Sequence, residues 1–277
     1  MALTRPATEV PDTDLVPGQL DLSATSRVPF TRLVRVELRK ARDTRAGFWL
    51  LVVIIGLLVV VPGIAVIVTL VNTDPVLLDD FVGIAAYMMS FLLPFLAIML
   101  VTSEWGQRTA LVTFALEPRR SRVVRAKLAA ALLLTVINLA AALVIGVVYT
   151  TVCEAVQPEQ TSWRLDAGNV AGFFVVSVLA MLGGFAVATL IINTPASIVL
   201  FVIYRFVLPG VFAALSALSD TLGKVLPWID FQGAQFDIND WTLSGAAAWA
   251  HLIVSGLLWL VLPLGLGMWR LVRVEVK

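Results

Sequence analysis

Six long apolar segments constrain the fold of this 277-residue chain more than any other feature of its sequence. Each holds roughly 20 or more mostly apolar residues, the length that an α-helix needs to cross the ~30 Å hydrocarbon layer of a bilayer. They lie at residues 46–71, 82–102, 124–152, 169–193, 196–218 and 245–269. Because 59% of the residues are hydrophobic and only 14% are charged, a water-soluble globular domain is excluded. The sequence predicts an all-α membrane protein with six transmembrane helices.

The positions of Lys and Arg predict the orientation of these spans. Of the 20 Lys and Arg residues, 17 lie before residue 46, in the loop at 103–127 or after residue 269. The connections on the opposite side carry mainly Asp and Glu. By the positive-inside rule, we expect a multi-pass protein of the plasma membrane with both termini in the cytoplasm.

Two N-terminal regions precede the first span. Residues 1–28 are rich in Pro, Asp, Thr and Ser and predict a disordered cytoplasmic arm. Residues 29–45 place apolar and arginine side chains on opposite helical faces, which is typical of an interfacial helix on an anionic leaflet. Glu37 falls on the apolar face, and we expect it to pair with Lys40 three residues later. The alternative is a basic stretch beside the membrane that only fixes topology.

The cytoplasmic loop after the second span predicts a short helix at about 104–117. Glu104 would lie in its first turn, where the helix dipole favours negative charge, and Pro118 ends the pattern. Leu111 and Phe114 share one face, which is too apolar to be left in water. We expect this helix to lie parallel to the membrane and to offer its apolar face to a soluble partner. The alternative is a connector that rests on lipid.

The outer connection between the fifth and sixth spans, residues 219–244, is rich in Leu, Val, Ile, Trp and Phe. A free loop of that composition would expose much apolar surface, so we expect part of it to re-enter the outer leaflet or to pack on the bundle. The transmembrane domain then runs from 46 to 270, followed by a cytoplasmic tail at 271–277.

Arg205 is the only charge predicted deep inside a span. It lies about ten residues into the fifth span, or about 15 Å along a helix, near the middle of the bilayer. An arginine there costs about 2.5–3.5 kcal/mol on insertion scales and normally faces the bundle interior or a water-filled path. It is either a contact for an anionic group in a translocation pathway or a structural residue. Its partner would be a backbone carbonyl, a polar side chain such as Asn138, or a ligand.

A cluster in the second span offers a second candidate for the translocation pathway. Tyr87, Met88 and Phe91 combine aromatic rings with a flexible thioether, and such residues can line an adaptable apolar path. The alternative is that they belong to the core or face lipid.

Other chemistries are excluded by what the sequence lacks. A single cysteine and a single histidine cannot build a Cys/His zinc site, so we expect no metal site. The chain has no phosphate-binding loop of the form G-x-x-x-x-G-K-[ST], and its net charge of +1 gives no basic field for nucleic acid. No serine stands between the glycines of the fourth span, where an intramembrane protease acting with His251 would need one. We therefore expect no enzymatic activity of its own.

Several short motifs follow one another in order from residue 29 onward. They are Val36-Glu37-Leu38-Arg39-Lys40, Thr44-Arg45, Glu104, Gly106, Thr109, Leu111, Pro118, Ser121-Arg122, Ala126-Lys127, Asn193-Thr194 and Leu226-Pro227-Trp228. With these motifs, the six spans and the expected cytoplasmic termini, most of the chain resembles the permease subunits of the type 2 ATP-binding-cassette (ABC) exporter family.

This resemblance implies an elbow helix at 29–45, which contains Glu37 and Lys40, and a coupling helix at about 104–117. The residues that it assigns to coupling with a separate ATPase subunit are Glu104, Arg108, Leu111 and Phe114. It also implies a dimer with a second copy or a related permease. ATP and Mg²⁺ would bind to the ATPase partner, with no cofactor on this chain. The exported substrate would be amphipathic: a drug, lipid, glycolipid or peptide.

Two other functions remain open from the sequence. A secondary transporter or channel would work without ATP, and inverted repeats or an acidic relay would favour it, but neither is evident. A membrane scaffold would have no transport activity, and changes at Arg205 would then carry no functional cost.

Overall fold

The computed structural model describes residues 28–107, 109–117, 119–239 and 241–273. Most of the predicted N-terminal arm, Arg108 and the end of the predicted tail therefore lie outside the described residues. Six of the described helices are long and apolar enough to cross a membrane. This finding confirms the predicted spans and indicates a multi-pass membrane protein.

The described chain is almost entirely helical. In chain order the helices are α1 (Phe30–Asp43), α2 (Arg45–Asn72), α3 (Leu78–Gly106), α4 (Ala110–Leu116), α5 (Arg120–Val156), α6 (Ala167–Ile191), α7 (Thr194–Leu218), α8 (Asp220–Val225), α9 (Phe236–Asn239) and α10 (Ala246–Gly256, Leu257–Val261 and Leu262–Arg273). Two short strands, β1 (Val76–Leu77) and β2 (Thr161–Ser162), pair in parallel. The spans are α2, α3, α5, α6, α7 and α10.

The spans alternate in direction, so each end of the bundle collects its own connections. α1 packs on α2, α3 and α5, and the Oγ1 atoms of Thr102 and Thr194 lie 2.7 Å apart where α3 ends and α7 begins. We call this the α1 end. With 37 residues, α5 is about 55 Å long, well beyond the ~30 Å of hydrocarbon that a span must cross.

Side-chain caps set the sharp turns at the α1 end. Thr44 is extended, and its Oγ1 accepts a hydrogen bond from the backbone N–H of Gly47 at 3.1 Å, which separates α1 from α2. Asn193 caps α7 in the same way, with its Oδ1 3.0 Å from the N–H of Ala196. Each cap satisfies a donor that the first helical turn cannot satisfy internally. Only one residue therefore separates α1 from α2, and two separate α6 from α7.

The core of the bundle is the contact between α3 and α6. The two backbones approach closely at Gly184, because a Cβ there would lie 2.5 Å from the carbonyl oxygen of Pro94. Leu93 and Phe185 are completely buried beside this contact. The other spans surround this pair and leave much of their apolar surface facing outward, as lipid-facing helices do.

The connection at 219–244 packs against the spans. Gly172 of α6 lies against its backbone, since a Cβ at this position would come within 2.0 Å of the Ile238 carbonyl oxygen. The indole N–H of Trp259 in α10 donates to the Ile229 carbonyl at 2.7 Å. The connection is thus held between α6 and α10.

Two spans contain a π-helical turn, at Ile203–Val207 in α7 and at Leu257–Val261 in α10. A proline follows each turn two residues later, at Pro209 and Pro263. Proline has no N–H, and its ring crowds the carbonyl four residues earlier. In α7 that carbonyl belongs to Arg205, so the wider turn is centred on the one arginine of this span.

Candidate functional site

Four charged side chains meet at the α1 end, and we call them the ion square: Glu37, Lys40, Glu104 and Lys127. α1 supplies Glu37 and Lys40, α3 supplies Glu104, and α5 supplies Lys127. The Lys127 Nζ lies 2.7 Å from Glu37 and 3.2 Å from Glu104, and the Lys40 Nζ lies 2.9 Å from Glu37 and also contacts Glu104. Each lysine therefore bridges both carboxylates.

The ion square is buried and internally neutral. Glu37, Glu104 and Lys127 expose only 3%, 4% and 5% of their surface, whereas the side chain of Lys40 is 32% exposed. Two positive charges face two negative ones, and Lys127 also donates to the Leu100 carbonyl at 3.0 Å. A buried charge is tolerated only when it is paired and hydrogen-bonded, and this arrangement meets both conditions.

Lys40 is the member of the square closest to solvent. Burial alone would lower its pKa, because desolvation disfavours the charged ammonium. The adjacent carboxylates of Glu37 and Glu104 outweigh that effect and hold the pKa of Lys40 above its usual value. Lys40 is therefore charged at neutral pH.

The short helix α4 is tied to the ion square. The Thr113 hydroxyl donates to Glu104 Oε1 at 3.1 Å, and the Thr109 N–H donates to the Glu104 carbonyl at 2.9 Å. At the other end of α4, Glu117 forms a 2.7 Å ion pair with Arg122 of α5. A displacement of α4 would therefore act directly on α3 and α5.

The outward face of α4 is apolar. Leu111, Val112 and Leu116 are all exposed, and Leu116 is 79% exposed. The backbone of Phe114 lies in the same helix, but its side chain is outside the described residues, as is Arg108.

The structure corrects one sequence prediction here. Glu104 does not begin the short helix: it lies in the last turn of α3, which continues to Gly106, and α4 covers only Ala110–Leu116. Its carboxylate turns inward to two lysines instead of capping a helix. The predicted ion pair between Glu37 and Lys40 is present, but its extension to Glu104 and Lys127 was not foreseen.

Arg205 lies in the π-helical turn of α7, and its neighbours are neutral. Its Nη1 donates to the side-chain carbonyl of Gln232, and its Nη2 lies 3.4 Å from the Ser90 hydroxyl. The guanidinium carbon sits 4.5 Å from the centre of the Phe91 ring, a cation–π geometry. α3 thus contributes two of these contacts and the 219–244 connection contributes one.

The polar partner of Arg205 is identified by the structure. Of the three kinds of partner that the sequence offers, a backbone carbonyl, a polar side chain such as Asn138, or a ligand, the structure has a polar side chain. Asn138 is not that side chain, because its amide donates to the Leu134 carbonyl of its own helix at 2.7 Å. Gln232 takes that place, and no sequence pattern pointed to it. Ser90 stands inside the aromatic cluster of the second span, which was the only available signal.

The three candidate pathway residues of α3 separate in the structure. Phe91 lies under Arg205, and Tyr87 packs edge-on against Phe91 with 4.7 Å between ring centres. Tyr87 is also exposed. Met88 instead packs against the hydrophobic core. Of the three, only the two aromatic residues lie beside Arg205.

Several cavities lie near this region. A small one of about 30 Å³ borders Arg205 and is lined by polar side chains that include Tyr87, Gln235 and Asn239. A groove of about 520 Å³ between α6, the 219–244 connection and α10 has aliphatic and aromatic walls. A third, of about 600 Å³, lies between α7, the connection and α10 and includes Asp230, Asp237 and His251.

Within the described ranges, no group of three or more His, Cys, Asp and Glu side chains is placed to hold a metal ion. In comparisons with known proteins, no family model matches the chain and no curated protein matches it.

Proposed function

We propose that this chain is the permease subunit of an ABC exporter, in which two permeases form a pathway for an amphipathic substrate and a separate ATPase subunit supplies the energy. α1 is then the elbow helix and α4 the coupling helix. The ATPase binds ATP and Mg²⁺, and the α1 end faces the cytoplasm of a cell whose plasma membrane holds the protein. The sequence resemblance motivates this proposal.

One structural observation carries the proposal: an exposed apolar helix is fastened to a rigid, buried ion cluster. An exposed apolar surface at a bundle end is typical of a protein contact. A partner that moves α4 would also displace Glu104, because the Thr113 hydroxyl and the Thr109 N–H are hydrogen-bonded to it. The ion pairs of Glu104 with Lys127 and Lys40 would transmit this displacement to α5 and to α1. Glu37 of α1 is also paired with Lys127.

In this mechanism the ion square acts as a joint that keeps three helices together. Closure of an ATPase dimer would shift α4, α1 and the adjoining ends of α3 and α5 as one body. The shift drives transport only if the α4 contacts with the ATPase differ between two states of the permease. α3 and α7, which together hold Arg205, would then change access to the pathway.

The function can be tested by isolating the full chain from its native membranes with a mild detergent. We expect a P-loop ATPase to co-purify with the wild type. Leu116→Asp should abolish that association, because it places a carboxylate on the apolar docking face. The matched control is Val71→Asp, since Val71 is 77% exposed but lies at the opposite end of the bundle, in α2. The proposal fails if no ATPase accompanies the wild type, or if both variants lose it equally.

A further inference from the structure

Within the part of the chain that the structure describes, Arg205 forms no ion pair with an acidic side chain. It is the twelfth residue of the 25-residue α7, so it lies about 16 Å along a span that must cross ~30 Å of hydrocarbon. Its contacts with Gln232, Ser90 and Phe91 orient the guanidinium but do not neutralise it.

The guanidinium also keeps hydrogen-bonding capacity in reserve. An arginine has five N–H donors. Its Nε is buried and has no hydrogen-bond partner within the described part of the chain. An unpaired buried donor is expensive, and a water molecule, an ion or a ligand is what normally satisfies one.

A polar cavity is lined in part by Arg205. Its ~30 Å³ is enough for one or two water molecules or for the oxygens of one anionic group. Tyr87 and Phe236, which are both exposed, line the same cavity, so it reaches the surface of the bundle between α3 and the 219–244 connection. An anionic group attached to a membrane amphiphile can therefore approach from the side.

The local backbone is consistent with a binding site. Arg205 lies in a π-helical turn, and such turns occur frequently at functional sites. Gln232 and Phe91 hold the guanidinium from two sides, so little side-chain freedom remains to be lost when a ligand binds.

We propose that Arg205 is the anion-binding residue of this protein and that it takes the phosphate oxygens of an anionic amphiphile that enters between α3 and the 219–244 connection. That this amphiphile is also the exported substrate rests on the proposed function. The recognised chemistry is a phosphate group, whether it belongs to a lipid headgroup or is free in solution.

The test is a set of titrations of the purified full chain in a neutral detergent, followed by thermal unfolding. The probes are dioleoyl phosphatidylglycerol, dioleoyl phosphatidylcholine and inorganic phosphate. We expect the wild type to bind the anionic lipid about tenfold more tightly than the zwitterionic one, because the choline cation of phosphatidylcholine already balances the charge of its phosphate. A comparable shift with inorganic phosphate would identify a free anion as the ligand, whereas a shift with phosphatidylglycerol alone would identify a headgroup.

Two variants of the site separate binding from folding. Gln232→Glu is nearly isosteric and supplies Arg205 with an internal carboxylate, so it should abolish the lipid preference while the unliganded protein unfolds at a higher temperature. Arg205→Gln should abolish the preference by removing the charge. The exposed Arg164→Gln serves as the matched control and should retain the full preference.

Equal affinity of the wild type for the two lipids, together with no response to inorganic phosphate, would overturn the proposal. So would an unchanged preference for phosphatidylglycerol in both Gln232→Glu and Arg205→Gln. These titrations need no ATPase, so their failure is distinct from failure of the co-purification experiment.

Discussion

The ion square and Arg205 are two charged regions of the described chain that follow opposite rules. In the ion square every charge has at least two partners of opposite sign, and the four together are neutral. Arg205 has only neutral contacts among the described residues. A balanced cluster suits a fixed joint between helices, because its charges are already satisfied. An arginine without an acidic partner suits the binding of a ligand that supplies the negative charge.

The largest effect should come from breaking the balance of the ion square. Lys127→Met would leave two buried carboxylates facing one lysine, and removal of one partner from a buried pair costs about 3–5 kcal/mol. We expect a correspondingly large fall in unfolding temperature in detergent. Arg125→Met, on the exposed side of the same helix, should change it little. Equal losses in the two variants would show that the square contributes no special stability.

A second substitution should disturb the surroundings of Arg205 without altering any charged residue. Gly172→Ala would push a methyl group against the Ile238 carbonyl, and overpacking of this kind costs about 1–3 kcal/mol. The displaced connection should carry Gln232 away from Arg205, which we expect to weaken binding of phosphatidylglycerol. Gly56→Ala is the control, because its added methyl group meets open space and alanine favours the helix. If Gly172→Ala behaved like this control, the connection would not be held by α6.

The smallest expected effect is a pH dependence of the stability, which arises from Lys40 of the ion square. The folded pKa of Lys40 is raised, so its ion pairs contribute full stability below the unfolded pKa of about 10.4 and lose that contribution as pH rises through the folded value. Wild type should therefore be more stable than Lys40→Met at pH 8, and the difference should vanish at strongly alkaline pH. The measurement is the unfolding temperature of both proteins across this range. A difference that stays constant with pH would exclude titration of Lys40 as its source.

The sequence predicted the spans well, because hydropathy and length are local properties. The predicted 46–71 span corresponds to Arg45–Asn72, and the predicted 196–218 span to Thr194–Leu218. The ion square could not be predicted in full, since it joins helices that are far apart in sequence. Glu104 was misplaced because a serine and a glutamate before a polar loop resemble a helix start, whereas α3 simply continues past them.

The Arg205 region shows a different limit of sequence reasoning. Depth in the span singled out the arginine, and the aromatic cluster at 87–91 marked the neighbouring helix. Gln232 was missed because it is one of several polar residues scattered through the connection without a periodic pattern. Only the packing of that connection against α6 and α10 brings it to the guanidinium.

The ion square also imposes an order on how the chain can be made. Glu37 emerges from the ribosome 90 residues before Lys127, the partner that completes its pairing. Until the start of the third span has been synthesised, α1 cannot complete its contacts with α5. A nascent chain that stops earlier keeps carboxylates with too few lysines. The four residues that join the helices are therefore satisfied together only after the start of α5 has been made.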